Sequence, residues 1–290
     1  MTAGIHAVLR PSERLTGVAL AGLLALTLLL RPEGWVPRAL FFAALPLLGM
    51  GLARAGRGPA LLRDFLPVVA VLGSYLLLQP LVAAVNPVRW DHALAAADRR
   101  WFAALAVAWH GAFGRPAAFT DFVYAAYASF YLLPLTVAVL VRARLSPRRF
   151  ERAAFTILLG FYLSFLGYFL WPAEGPRVPL PLQSAELGGG ALAQAVRGFL
   201  QRAETTTLDA FPSGHTALSL VSATLASRPF PKLAPLFWGW ALAIVFATVY
   251  IRAHYLVDVA AGLLLAGLAL VAGPPLGRWL QPRPSAGVPE

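Results

Sequence analysis

"TLDAFPSGHTALSLV", Thr207–Val221, is the place where a polar loop runs into an apolar segment within a few residues. A serine, a glycine and a histidine cluster at that boundary, and helix capping alone would account for polar groups there. Its counterpart is "TVYIRAHYLVDVAAG", Thr248–Gly262, where a histidine and an aspartate four residues apart open the last long apolar run. Two apolar segments, 211–228 and 233–251, separate the two histidines. If each crosses a bilayer, His215 and His254 return to the same face. Fold and function both turn on those two crossings.

The rest of the chain supports a membrane reading. Of 290 residues, 59% are hydrophobic and 13% charged, where a soluble domain carries about 25% charged residues. Apolar runs predict eight spans, near 15–30, 36–53, 65–85, 117–141, 153–171, 211–228, 233–251 and 254–273. The expected fold is all-α, a polytopic membrane helical bundle. Residues 1–60 hold an extra N-terminal helix pair, 61–273 a catalytic membrane domain with a six-helix core, and 274–290 a disordered Pro-rich tail. Segment 88–110 is interrupted by "DHALAAADRR" and reads as a helix lying in the outer interface. "ALAQAVRGFLQRA", 191–203, is a second amphipathic segment. Only the eighth span shows a clear intramembrane charge, which argues against a transporter.

The net charge of +11 would suggest nucleic acid in a soluble protein. Here 23 of the 24 basic residues are arginine, mostly flanking apolar runs, so they orient spans and no nucleic-acid partner is expected. The "RARLSPRRFER" loop is the strongest vote for cytoplasmic N- and C-termini, which places both histidines on the extracytoplasmic side. Compact loops and heavy Arg, Ala, Leu and Pro usage fit a bacterial inner membrane. The absence of cysteine excludes disulfides and thiolate chemistry.

On a helix, His254 and Asp258 stack on one face. Asp258 would then hold one ring nitrogen of His254 and leave the other as a nucleophile; a purely structural His–Asp pair is the competing reading. No span separates these residues from "WPAEGPRVP", so Arg177 shares their face. A phosphate ester suits the set. Pro212 fits the first helical position, so N–H groups around Ser213 and Gly214 would meet phosphate, with the Ser213 hydroxyl as a further donor. Arg177 would clamp phosphate oxygens, His215 would protonate the departing oxygen, and His254 would attack phosphorus. Two histidines with divided roles make a metal or other cofactor unnecessary. No G-x-S-x-G elbow supports a serine hydrolase. His6 falls in an expected disordered tail, and His92 and His110 sit on the interfacial segment without carboxylate partners at metal-site spacing. Asp121, Tyr124, Tyr127, Phe130 and Tyr131 form a polar-edged stripe, read as packing or, alternatively, as lining for a headgroup pocket.

"FPSGHT" and "HYLVD" resemble the second and third motifs of the type 2 phosphatidic acid phosphatase (PAP2) superfamily of membrane lipid phosphatases, over roughly 115–273. The resemblance implies His254 as the phosphohistidine-forming nucleophile, His215 as the acid, Asp258 as the group orienting His254, and Ser213 and Gly214 as phosphate ligands. "GPR", Gly175-Pro176-Arg177, is similar to the inositol phosphorylceramide synthase-like branch instead of the usual first motif. The usual Ser-Arg pair reads Ala247-Thr248, so one phosphate-binding arginine is missing. Arg252 either replaces it or snorkels to the interface. "DAFPSGHT" and "HYLVDV" also resemble sphingomyelin synthase patterns, which makes Asp209 either a positioner of an acceptor alcohol or a helix cap. Glu174 either pairs with Arg177 or meets a headgroup. The implied activity is hydrolysis of a lipid phosphate or pyrophosphate, with transfer of a phospho-headgroup to a lipid alcohol as the alternative.

Overall fold

The computed structural model describes residues 9–55, 60–112, 116–177, 188–203 and 207–281. Among these, the regular structure is helical throughout: α1 (Pro11–Leu30), α2 (Trp35–Ala55), α3 (Ala60–Val85), α4 (Asp91–Ala112), α5 (Ala117–Ala128), α6 (Leu132–Arg144), α7 (Pro147–Leu170), α8 (Ala191–Ala203), α9 (Gly214–Ser227), α10 (Ala234–Tyr250) and α11 (Leu256–Trp279). A 3₁₀ turn at Ser129–Tyr131 joins α5 to α6, and the pair acts as one span. Seven segments of the described residues are long and apolar enough to cross a membrane. The protein is a polytopic helical bundle.

The expected sixth span is the exception. It begins at Gly214, not at 211, and α9 has only 14 residues. At 1.5 Å per residue that is about 21 Å, short of the roughly 30 Å hydrocarbon core. Its neighbours explain how so short a helix is stable. α6, α7, α10 and α11 all pack on it, and Ala217, Leu218, Ser219, Val221 and Ala223 are fully buried. Small side chains let helices approach closely where no hydrophobic drive separates protein from lipid. The helix is the centre of the bundle and meets protein on nearly every side. α9 and α10 run antiparallel through a short turn, so the start of one lies beside the end of the other.

α1 packs on α2, α3 and α7, and α2 on α1 and α3, away from α9. Leu20, Phe42, Val71, Leu78 and Leu158 build this second core. α4 is not among the segments that qualify as spans; it lies against the start of α11. α11 runs through Pro274 and Pro275 to Trp279, six residues beyond the expected boundary at 273, so the expected tail begins as helix. Packing holds those turns: a Cβ at Gly273 would meet Thr156 Oγ1 at 2.7 Å and one at Gly277 would meet Phe155 at 3.4 Å, both on α7. Residues 282–290 of that tail lie outside the described residues.

The spans also carry more charge than the sequence suggested. Asp64 on α3 and Glu151 on α7 sit within the helices. Asp64, with its side chain 3% exposed, is paired with both Arg10 and Arg142. Glu151 accepts from the Ser12 N–H at 2.7 Å and its hydroxyl at 3.0 Å, while Glu13 pairs with Arg63. These groups tie α1, α3, α6 and α7 together at one end of the bundle. Asp64→Asn should lower unfolding free energy in detergent or bicelles by about 2 kcal/mol, discounted from the fully buried case because both arginines are one-third exposed. Thermal or denaturant unfolding checks it, and the chemistry at the other end should be unchanged.

Candidate active site

α9 starts at a sharply built corner. Ser213 is its N-cap: the Ser213 Oγ accepts from the Thr216 N–H at 3.2 Å and from the Thr216 hydroxyl at 3.1 Å. The Ser213 N–H donates to the Asp258 carbonyl at 3.1 Å. Pro212 therefore precedes the helix instead of opening it, and the Ser213 N–H is already used. Asp209 does not cap α9 either; it accepts from the Tyr75 hydroxyl at 2.6 Å. Gly214 and His215 are the first two helical residues, and the first turn presents N–H groups outward.

His254 lies in the turn between α10 and α11, not on the helix the spacing implied. The turn is held by the Thr248 carbonyl, which accepts from Ala253 N–H at 2.9 Å and His254 N–H at 3.1 Å, and it passes through Arg252 in the left-handed region at φ 59°. Tyr255 caps α11, and Asp258 at its third position accepts the Tyr255 N–H at 2.9 Å. Asp258 is thus engaged in capping. Its Oδ2 lies 3.5 Å from His254 Nδ1, whereas the Ala210 carbonyl lies 2.8 Å from the same nitrogen. A carbonyl only accepts, so Nδ1 carries the proton and Nε2 keeps its lone pair. The main orienting partner is a backbone group that the sequence motif does not reveal, with Asp258 second.

The lone pair of Nε2 faces His215. The distance from His254 Nε2 to His215 Nδ1 is 3.4 Å, and the two rings meet edge to face. Since Nε2 is the acceptor, the proton between them belongs to His215. That ring is fixed by Tyr127, stacked at a centroid distance of 4.5 Å, and by Phe130 at 4.3 Å. Tyr127 and Phe130 from the polar-edged stripe therefore pack against the His215 ring. Tyr124 of the same stripe lies under the Arg197 guanidinium, and Asp121 caps α8 through the Gly190 and Ala193 N–H groups.

The GPR turn reaches the site through its backbone. Gly175 has φ 79°, and a Cβ there would stand 2.8 Å from the Ala253 carbonyl and 3.1 Å from Ala210. It is thus pressed against both histidine-bearing segments. The Arg177 side chain lies outside the described residues. The Glu174 and Gly175 N–H groups donate to Asp91 Oδ1 at 2.9 and 2.8 Å, while Asp98 accepts the Val257 N–H at 3.0 Å. One helix, α4, therefore caps both the GPR turn and the start of α11. The signal was the seven-residue spacing of Asp91 and Asp98, which puts them on one helical face. Burial, with Asp91, Asp258 and Asp98 adding negative charge, pushes the Tyr255 phenol up to about 12, so it stays a neutral hydroxyl at working pH. His92 is exposed on α4; His6 and the His110 side chain lie outside the described residues. Among the described residues no three His, Asp or Glu side chains are grouped to hold a metal ion.

Beyond His215 lies a recess between α3, α7 and the α9 start. Tyr75, Tyr131, Ser164, Tyr168, Asp209 and His215 supply its polar lining. Val71, Leu72, Tyr131 and Phe161 are shared with a larger, apolar groove of about 140 Å³ between α3, α6 and α7. The Gln79 side chain pairs with Thr207, its Nε2 donating to the hydroxyl at 3.0 Å, and fixes the loop that carries Asp209.

The sequence profile of the PAP2 superfamily matches residues 92–272, more than half of the chain. A PA-phosphatase related-family protein of Dictyostelium discoideum is 31% identical over 117 residues, which are 39% of this chain and 21% of that protein. The catalytic subunit of inositol phosphorylceramide synthase of Schizosaccharomyces pombe is 36% identical over 62 residues, 21% of this chain and 15% of that protein. No solved structure matches the chain.

The corner depends on one close approach. A Cβ at Gly262 would stand 2.6 Å from the Ser213 carbonyl and 2.8 Å from Thr216 Cβ, both in the rigid first turn of α9. Gly262→Ala should therefore cost about 2 kcal/mol of stability by overpacking. It should also separate the two histidines; thermal unfolding and the histidine ring NMR signals check the two effects.

Proposed function

The chain belongs to the PAP2 superfamily, and from that premise and the site geometry we propose that it is an integral membrane lipid phosphatase working through a phosphohistidine at the extracytoplasmic face. The observation that carries the reading is the His254 Nε2 lone pair directed at His215 Nδ1 across 3.4 Å. In the first step Nε2 attacks phosphorus and an N–P bond forms. The P–O bond to the lipid breaks, and the His215 proton goes to the departing oxygen, giving a lipid alcohol. In the second step His215 takes a proton from water as its oxygen attacks phosphorus. The N–P bond breaks, its electrons return to His254, and phosphate leaves. Lipid phosphate plus water thus gives lipid alcohol plus phosphate.

Charge neutralisation is assigned to groups beside His254: the α9 helix start, Gly214, Arg177 on the GPR turn, and Arg252 in the tight turn. The Ala210 carbonyl and Asp258 stabilise the imidazole as it becomes cationic on phosphorylation. The apolar groove is assigned to the lipid chain. Extracytoplasmic sidedness rests on the arginine distribution of the loops.

The second reading is transfer of a phospho-headgroup to a lipid alcohol, favoured by the similarity to the inositol phosphorylceramide synthase subunit. It differs in the donor, a phospholipid whose headgroup stays on phosphorus when the first lipid alcohol leaves, and in the second step, where a lipid alcohol oxygen replaces water. Purified protein presented with lipid phosphates and with headgroup-bearing phospholipids, with and without lipid alcohols, separates the two: free phosphate marks hydrolysis, and a headgroup-bearing product on the added alcohol marks transfer.

His254→Ala should lower phosphate release by at least ~10⁴-fold. His215→Asn should lower phosphate release by about 10²–10⁴-fold, since both the departure of the lipid oxygen and the attack of water lose their proton carrier; a steady-state phosphate assay checks it. Asp258→Asn should cost about 10²–10⁴-fold in kcat with little change in KM, since the Ala210 carbonyl still holds the tautomer while the charge is lost. Undiminished turnover by the His254→Ala protein would end the reading.

A further inference from the structure

The two sides of α4 differ in charge. Its inward side carries carboxylates: Asp91 Oδ1 accepts the Glu174 and Gly175 N–H groups, and Asp98 Oδ1 accepts the Val257 N–H. Just ahead of the helix, the Trp90 N–H donates to the Pro172 carbonyl at 2.9 Å. The GPR turn and the start of α11 thus hang from one helix. That turn in turn presses Gly175 on Ala253 and Ala210, which bracket His254.

The outward side is basic. Arg99 and Arg100 are exposed, as is Arg89 just before the helix, and Trp101 beside them is 66% exposed. The only acids in the sequence from 89 to 112 are Asp91 and Asp98, and both serve main-chain N–H groups on the inward side. Arginines next to an exposed tryptophan suit a helix lying in a bilayer interface, with the ring at headgroup depth and the guanidiniums on lipid phosphates. The location agrees: α4 does not qualify as a span, and it packs where the α11 span begins. Its protein neighbours are chiefly that helix start and the GPR turn. A helix with so few protein contacts takes much of its placement from the surface on its other side.

We propose that α4 is a docking surface for anionic lipid headgroups, and that their contact with Arg89, Arg99 and Arg100 steadies the GPR turn and the α11 start through Asp91 and Asp98. The partner is the charged bilayer surface itself, distinct from the lipid that reacts. Each arginine near an anionic surface strengthens attachment by about fivefold, a factor that salt reduces. Asp91 is then a positioning residue: it carries the placement of α4 to the segment beside His254. The effect on turnover rests on the phosphatase reading, whereas the docking does not.

The test has two arms, both in lipid nanodiscs. The first follows Trp101 fluorescence, taken as the difference between the wild-type protein and Trp101→Phe, in discs of one phosphatidylcholine–phosphatidylglycerol mixture with bromine on either lipid. Quenching should be stronger from brominated phosphatidylglycerol, and the triple variant Arg89→Gln, Arg99→Gln, Arg100→Gln should remove the excess. Equal quenching of the wild-type protein by the two lipids, or none, overturns the docking. The second arm measures kcat on a monomeric short-chain lipid phosphate at saturation, because a charged surface repels an anionic substrate and raises KM. Wild-type kcat should be about fivefold higher in discs containing phosphatidylglycerol than in phosphatidylcholine alone, and the gain should fade with added salt. The triple variant should keep the kcat seen in phosphatidylcholine and lose the gain. Asp91→Ala should lose it too, while Asp91→Asn, which keeps the accepting oxygen, should retain it. A wild-type kcat equal in both discs, or a gain that the triple variant keeps, overturns the coupling and leaves the phosphatase reading intact. Phosphate release indistinguishable from that of His254→Ala in every disc overturns the phosphatase reading and the coupling with it, and the docking is still decided by the fluorescence arm.

Discussion

The Ala210 carbonyl accepts the Nδ1 proton of His254 at 2.8 Å, and the arrangement of the two facing imidazoles depends on that bond. It decides which nitrogen keeps a lone pair and where that pair points. The carbonyl in turn is fixed by the loop around it. The Ala210 N–H donates to Ala173 at 3.0 Å, and the Ser213 N–H to Asp258 at 3.1 Å. Three segments far apart in sequence, 172–175, 210–215 and 253–258, are knitted together by main-chain groups that would be costly to leave unpaired away from water. The imidazole is held by the fold itself more than by one acidic side chain.

The bundle supplies the rigidity such a site needs. α9 is short, built of small residues and covered by four other helices. Its first turn cannot move without displacing Gly262 on α11 or the α7 surface that packs on Pro212 near Gly167. The paired charges at the opposite end fasten α1, α3, α6 and α7, so the helices are anchored at both ends.

Much of this was written in the sequence. The two histidines could be placed on one face because they are separated by two apolar segments, a counting argument that survives an error of several residues in each boundary. It survived the unexpected shortness of α9. Main-chain bonding was not legible: nothing in "DAFPSGHT" says that the Ala210 carbonyl, more closely than Asp258, orients His254. Asp258 misled because its i,i+4 spacing implied a helix through His254, whereas the carboxylate caps a helix that starts two residues later. Asp91 and Asp98 were visible as same-face residues on α4 but had no stated partner until the chain was folded. Tyr75 and Gln79 carry no local signal, since their partners lie 134 and 128 residues away. Asp64 and Glu151 were missed because they lie near span ends, where a charge reads as loop.

α3 contributes Tyr75 and Gln79 to the loop beside the histidines, yet it lies before residue 92, where the match to the superfamily begins. A single hydroxyl-to-carboxylate bond spanning 134 residues thus couples an early span to the loop that precedes His215, so a substitution on α3 can reach the histidine corner without touching either imidazole.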